Sequence, residues 1–159
     1  METTEAIANG RFAIEDIMLR YAEGIDIGDM ESVGRVFEKG KMVMPDGSSL
    51  VGAQGVCEHF SNLIIFYDSD GNVVPYLRGQ CTPRTRHVTS NIIYEFNQAV
   101  NQANVRSYVT CYQTIGIRNE IIFGGRYTDS FALDEQGWHL VSRGILGDNV
   151  GDTSHHLKT

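Results

Sequence analysis

Helical periodicity in the first third of the chain and strand periodicity in the last half predict an α+β domain, with helices closing a curved, mostly antiparallel sheet. Three observations carry this expectation. Ile7, Phe12, Ile14, Ile17, Met18, Tyr21 and Ile25 are spaced mainly by threes and fours over residues 5–25, which makes one apolar helical stripe. From Thr85 onward the pattern switches to period two and runs through successive strands separated by short turns. Inside one of those strands Gly124 and Gly125 stand together, the mark of a bulge or bend. A sheet bent there and covered by helices is a cone, and its interior is a ready-made pocket.

Each element has its own warrant. The first helix ends near Asp26, where a carboxylate opposes the helix dipole and needs a cationic or hydrogen-bonding partner. Asp29 precedes a short second helix, Met30 to Phe37, as its N-cap. Lys41 to Met44 reads as a strand closed by the turn Pro45-Asp46-Gly47. A further amphipathic helix follows over residues 53–66, with Val56, Phe60, Leu63 and Ile64 on one side. Residues 67–83 carry several Gly, Pro and Asp and read as a long loop of the kind that forms lids, with Tyr67 and Tyr76 near a pocket mouth. The strands then follow: Thr85 to Phe96, Asn104 to Thr114, Ile121 to Leu133 and, after a turn at residues 134–137, Trp138 to Arg143. One domain is expected over residues 1–146, with a polar, poorly ordered tail over 147–159. His155 and His156 lie in that tail and receive no chemistry.

Composition narrows the function. At 159 residues, 42% hydrophobic and 21% charged, the chain is expected to be one soluble domain with a substantial core. A net charge of -7 leaves no basic stripe for nucleic acid. No run approaches the roughly 20 apolar residues of a membrane span, and the acidic N-terminus is unlike a signal peptide. Cys57, Cys81 and Cys111 form no Cys-x-x-Cys and are expected as reduced thiols in a cytoplasmic protein. Apolar and aromatic residues on both faces of the strands predict a homodimer or homotrimer.

The strand Thr85 to Phe96 holds the chemistry. Period two places His87, Thr89, Asn91 and Ile93 on one face, and Val88, Ser90, Ile92, Tyr94 and Phe96 on the other. An imidazole, a hydroxyl and a carboxamide in line are unusual for a face that only packs. Asn91 on this face is placed to orient a substrate oxygen. No histidine cluster of metal-ligand spacing, phosphate loop or nucleophile elbow is present, so neither metal nor organic cofactor is expected.

The helix end Tyr21-Ala22-Glu23-Gly24-Ile25-Asp26, the strand start Thr85-Arg86-His87, Gly125-Arg126-Tyr127-Thr128-Asp129 and Gly137-Trp138 together resemble the SnoaL-like branch of the nuclear transport factor 2 superfamily. Within it the chain is most similar to scytalone dehydratase and its relatives, over about residues 8–145. The resemblance implies a cystatin-like α+β roll. It also implies that His87 and Asp26 form a hydrogen-bonded catalytic pair inside the cone. The carboxylate would fix one imidazole tautomer and leave the other nitrogen as a proton acceptor. The family enzyme has one pocket tyrosine just before its helix aspartate, where this chain has Ile25, and another on its first strand, where this chain has Met44-Pro45. Tyr21, Tyr108 and Tyr127 are the candidates to replace them as substrate-binding residues, and scytalone itself is not the expected substrate.

The expected activity is that of a cofactor-independent lyase or isomerase of the dehydratase kind, acting on a small, cyclic, apolar, carbonyl-bearing metabolite. Two other readings stay open on the same fold. One is a non-catalytic small-molecule binding domain. The other is a structural subunit like the small subunit of ring-hydroxylating dioxygenases.

Overall fold

A computed structural model describes residues 3–158. The elements run α1 (Thr3–Ile27), α2 (Met30–Arg35), β1 (Lys41–Val43), β2 (Ser49–Val51), α3 (Gly52–Leu63), β3 (Phe66–Tyr67), β4 (Val73–Val74), β5 (Thr85–Phe96), β6 (Gln102–Ile115), β7 (Arg118–Asp134) and β8 (Gly137–Val150). The main sheet has the order β2-β1-β8-β7-β6-β5, with β1 parallel to β8 and every other pair antiparallel. This is the α+β roll that the order of patterns predicts.

The stripe on α1 is buried as Ile14, Met18, Tyr21 and Ile25, and α1 lies along β5 and β8. Facing it are Val105 and Val109 of β6, Tyr127 and Phe131 of β7 and Leu140 of β8, all in one core with Met30, Val33 and Phe37. Strict alternation on β6 buries Ala103, Val105, Ser107, Val109, Cys111 and Gln113 and turns Arg106, Tyr108 and Tyr112 outward.

Bulges bend the sheet, because an extra residue in one strand of a pair kinks it and increases its twist. The β7–β8 register shifts at Gly124 and Gly125, as the paired glycines lead one to expect, and again between Ser130 and Phe131. A further shift in β5, between Ser90 and Ile93, is not marked by any glycine. Asn91 sits in it with φ 52°. Beyond it the phase inverts, and Ile92, Tyr94 and Phe96 take up the half-buried side that Thr85, His87 and Thr89 occupy before it.

The last strand and the tail differ from the sequence expectation. β8 continues past Arg143 to Val150, and the segment after it folds back across the domain. Ile65 N–H donates to the His156 carbonyl at 2.8 Å, Lys158 N–H donates to the Leu63 carbonyl at 2.8 Å, and Leu157 bridges to Ile64. Tyr67 Oη–H and Gln113 Nε2–H both donate to the His155 carbonyl, at 2.6 and 2.9 Å. These bonds run largely through the tail's main chain, so a polar sequence conceals them. Residues 67–83 are likewise more structured than a plain loop. Tyr67 is buried, and Tyr76 packs on Phe66 and bonds to Glu31.

Candidate active site

Asp26 lies in the last turn of α1, four residues after Ala22 and eight after Met18, so it belongs to the ridge that packs inward. The helix ends directly beyond it. Gly28 adopts φ 74°, and the bonds Gly28 N–H to Ile25 O and Asp29 N–H to Gly24 O close the last turn in a Schellman arrangement. The carboxylate is thus held against the negative end of the helix dipole, and it is only 7% exposed.

Its donors all come from the start of β5. Thr85 Oγ1–H donates to Oδ1 at 2.9 Å, and the His87 backbone N–H donates to Oδ2 at 2.8 Å. His87 Nδ1 lies 2.7 Å from Oδ1. An ionised carboxylate only accepts, so Nδ1 carries a proton and donates it to Asp26. Burial alone would raise the Asp26 carboxyl. The bonds from the His87 ring, its backbone N–H and Thr85 outweigh that and hold the carboxyl below its ordinary value. An open groove of about 520 Å³ between α1 and β5 reaches Asp26 and His87 past Ala22, Glu23 and Arg86.

Around the pair stand residues the sequence reading left without a role. Cys111 is directly opposite His87 in the β5–β6 ladder, with Sγ 3.9 Å from Nδ1, and burial pushes its thiol up to about 12. His156 comes from the tail and sets its ring 6.4 Å from that of His87, centroid to centroid. Burial, aided by the neighbouring His87, holds it down at about 4, so the ring is neutral at physiological pH. Further inside, Arg143 is buried with its guanidinium 4.5 Å from the Tyr21 ring centroid and 4.1 Å from that of Tyr127. Nε and Nη2 donate to the two oxygens of Asp129 at 2.9 and 2.6 Å, while Nη1 has no hydrogen-bond partner among the described residues. Burial pushes the Tyr21 hydroxyl up to about 12 and that of Tyr127 well above its ordinary value, so both phenols keep their protons.

The predicted site residues therefore divide. Asp26 and His87 meet, and Tyr21 and Tyr127 stack edge-to-face at 6.0 Å in the interior. Asn91 does not join them, because the β5 bulge takes it off the face of His87 and leaves it exposed. Tyr108 does not either: it pairs with Ser90 on the outer face of the sheet and is 53% exposed. The sequence reading did not pair Arg143 with Asp129. Counting back from the Asp134–Gly137 turn sets Asp129 against Ser142, and the bulge between Ser130 and Phe131 moves Arg143 there instead.

Comparison with known proteins places the fold. Solved structures with the same fold include a protein from Novosphingobium aromaticivorans provisionally assigned as a scytalone dehydratase. It is 21% identical, with a TM-score of 0.70 over 94% of this chain and 91% of that one. An NTF2-like protein with a cystatin-like fold from the same organism is 15% identical, with a TM-score of 0.68 over 90% and 84%. A hexachlorocyclohexane dehydrochlorinase, LinA-type3 from Novosphingobium barchaimii, is 15% identical, with a TM-score of 0.69 over 93% and 92%. Among curated proteins there is no match. The profile of the SnoaL-like domain matches residues 7–144, which takes in most of α1, the whole of β5 to β7 and Arg143, and the chain belongs to that family.

Proposed function

We propose that the chain is a cofactor-independent lyase or isomerase that uses His87, oriented by Asp26, to move a proton on a small cyclic, carbonyl-bearing, largely apolar metabolite. The observation that carries this reading is the 2.7 Å contact between Nδ1 of His87 and the buried, ionised carboxylate of Asp26. It leaves Nε2 as the base. In the step envisaged, Nε2 takes a proton from the carbon beside the carbonyl. The electron pair of that C–H bond becomes a C=C bond as the neighbouring hydroxyl departs, and the imidazolium returns the proton to that hydroxyl, releasing water. Isomerisation would return the proton to another carbon instead. The neutral phenols of Tyr21 and Tyr127 and the unpartnered Nη1 of Arg143 are the donors proposed for the substrate's oxygens. The three unpaired cysteines fit work in a reducing compartment such as the cytoplasm. Val88, Tyr108, Tyr112, Ile121 and Leu146, exposed on the sheet, support a homodimer or homotrimer.

The test is a panel of small cyclic hydroxyketones followed by NMR in deuterated water. Deuterium should enter at the carbon beside the carbonyl, or water should be lost. His87→Ala should slow this by about 100-fold or more, the range of a positioned general base, and Asp26→Asn by less. Compounds that bind without exchange, at an affinity His87→Ala leaves unchanged, would establish a binding domain instead.

A further inference from the structure

We propose that His87, Cys111 and His156 form a binding site for a borderline d-block cation, of which Zn²⁺ is the model, on the inner wall of the cone. One ligand atom from each lies within 4.8 Å of the others. Two imidazoles and a thiol are the donor set that such ions select over Mg²⁺ or Ca²⁺. The three come from separate segments: His87 from β5, Cys111 from the facing rung of β6, and His156 from the folded-back tail. No local sequence spacing could therefore announce them.

The second observation is His156 itself. It is 9% exposed, and its Nδ1 has no hydrogen-bond partner among the described residues. A buried ring nitrogen left unsatisfied is destabilising, and a coordinated ion would relieve it. Asp26 holds Nδ1 of His87, so the proposed ligand atom is Nε2, and the carboxylate would then orient the ligating imidazole through its other nitrogen. Charge also balances. A divalent ion with one thiolate and two neutral imidazoles carries a net positive charge of one, and Asp26 neutralises it. The thiol proton of Cys111 leaves to solvent on binding.

Zn–N bonds of about 2.0 Å and Zn–S bonds of about 2.3 Å need ligand separations near 3.5 Å, so the present spacing must close by about 1 Å. Part of that movement would come from the His156 ring, whose Nδ1 has no hydrogen-bond partner among the described residues. Three protein ligands leave a fourth position open for water or a small anion. Because the cation would claim His87, it and proton transfer would compete for the same ring. The site itself does not depend on the proton-transfer reading.

The test uses the full chain, tag-free, reduced and stripped with chelator, titrated with Co²⁺ and then Zn²⁺ without substrate. One Co²⁺ per chain should bind with a thiolate-to-cobalt charge-transfer band that Zn²⁺ abolishes. Zn²⁺ should also raise the melting temperature of the unaltered protein. Cys111→Ser should remove the band, whereas Cys57→Ser and Cys81→Ser should keep it. Asp26→Asn should weaken binding by about 10–100-fold, as loss of an orienting carboxylate does, and His156→Ala by more. His156→Ala alters only the folded-back segment, so it keeps the test decisive if Cys111→Ser does not fold. A band that survives Cys111→Ser, or a chain that takes up no Co²⁺ and whose melting temperature ignores Zn²⁺, overturns the proposal. A chain that binds Co²⁺ but, tested metal-free, exchanges no substrate proton overturns only the proton-transfer reading.

Discussion

Arg143 has its guanidinium between the rings of Tyr21 and Tyr127 and gives two of its N–H groups to Asp129. Both partners are all but inaccessible to solvent, so each charge is tolerable only because the other is there. Arg143→Met should cost about 3–5 kcal/mol in urea unfolding, since it strands a buried carboxylate. Arg143→Met combined with Asp129→Leu should recover much of that, because two apolar side chains replace the pair and nothing charged is left behind. If Nη1 also serves substrate, the recovered double variant will be stable and still impaired. A double variant no more stable than Arg143→Met alone would show that the pair does more than satisfy itself. Asp26 solves the same problem differently, with three donors and no permanent cation.

At the scale of elements, the end of α1 controls where Asp26 points. A Cβ on Gly28 would stand 2.1 Å from the Cys81 carbonyl oxygen, on a backbone with φ 74°. Gly28→Ala should therefore cost more than the roughly 1–2 kcal/mol of a left-handed residue alone, and turnover should fall with it as Asp26 is displaced. Full stability in thermal unfolding would contradict this account of the helix end. One residue on, Asp29 caps α2 by accepting from Ser32 N–H at 2.9 Å and pairs with Arg78 at 2.8 Å. Burial would raise its carboxyl, but the bonds from Arg78 and Ser32 reverse that and set it at about 2. A depressed carboxyl stabilises the fold above its ordinary value and loses that contribution as the pH falls. The stability gap between wild type and Asp29→Asn should thus be full above 3.8 and shrink toward pH 2. Unfolding curves collected across that interval check it, and a constant gap would count against the cap.

At the scale of the whole molecule, the sheet turns one face to the helices and leaves the other bare. On that outer face Tyr108 pairs laterally with Arg126, which pairs with Leu146, while Tyr112 pairs with Ile121. Tyr108, Tyr112, Ile121 and Leu146 are exposed in a single copy, with the Arg126–Asp148 ion pair between Tyr108 and Leu146. Their burial between copies is the expected outcome, and Tyr108→Asp should shift the protein to monomer in light scattering while leaving the interior intact. A wild-type chain that stays monomeric at micromolar concentration would remove the basis for this expectation.

Periodicity determined a good deal without any structure. The three-and-four spacing of α1 and the alternation of β6 each divide an element into two sides. That local geometry suffices for the α+β class and the bend at Gly124 and Gly125, but not for which face of β6 turns inward: Tyr108, on the side of Arg106 and Tyr112, was expected in the pocket and lies outside it. The meeting of Asp26 and His87 was legible for two reasons. A carboxylate at a helix C-terminus needs a partner, and the family resemblance named one. What only the tertiary structure decided lies where one extra residue changes phase or where the contacts run through main chain. The β5 bulge sends Asn91 outward, the β8 register brings Arg143 to Asp129, and the folded-back tail sets His156 beside His87. A period-two reading inverts with each inserted residue, and a segment held by its carbonyls carries no side-chain pattern to betray where it packs.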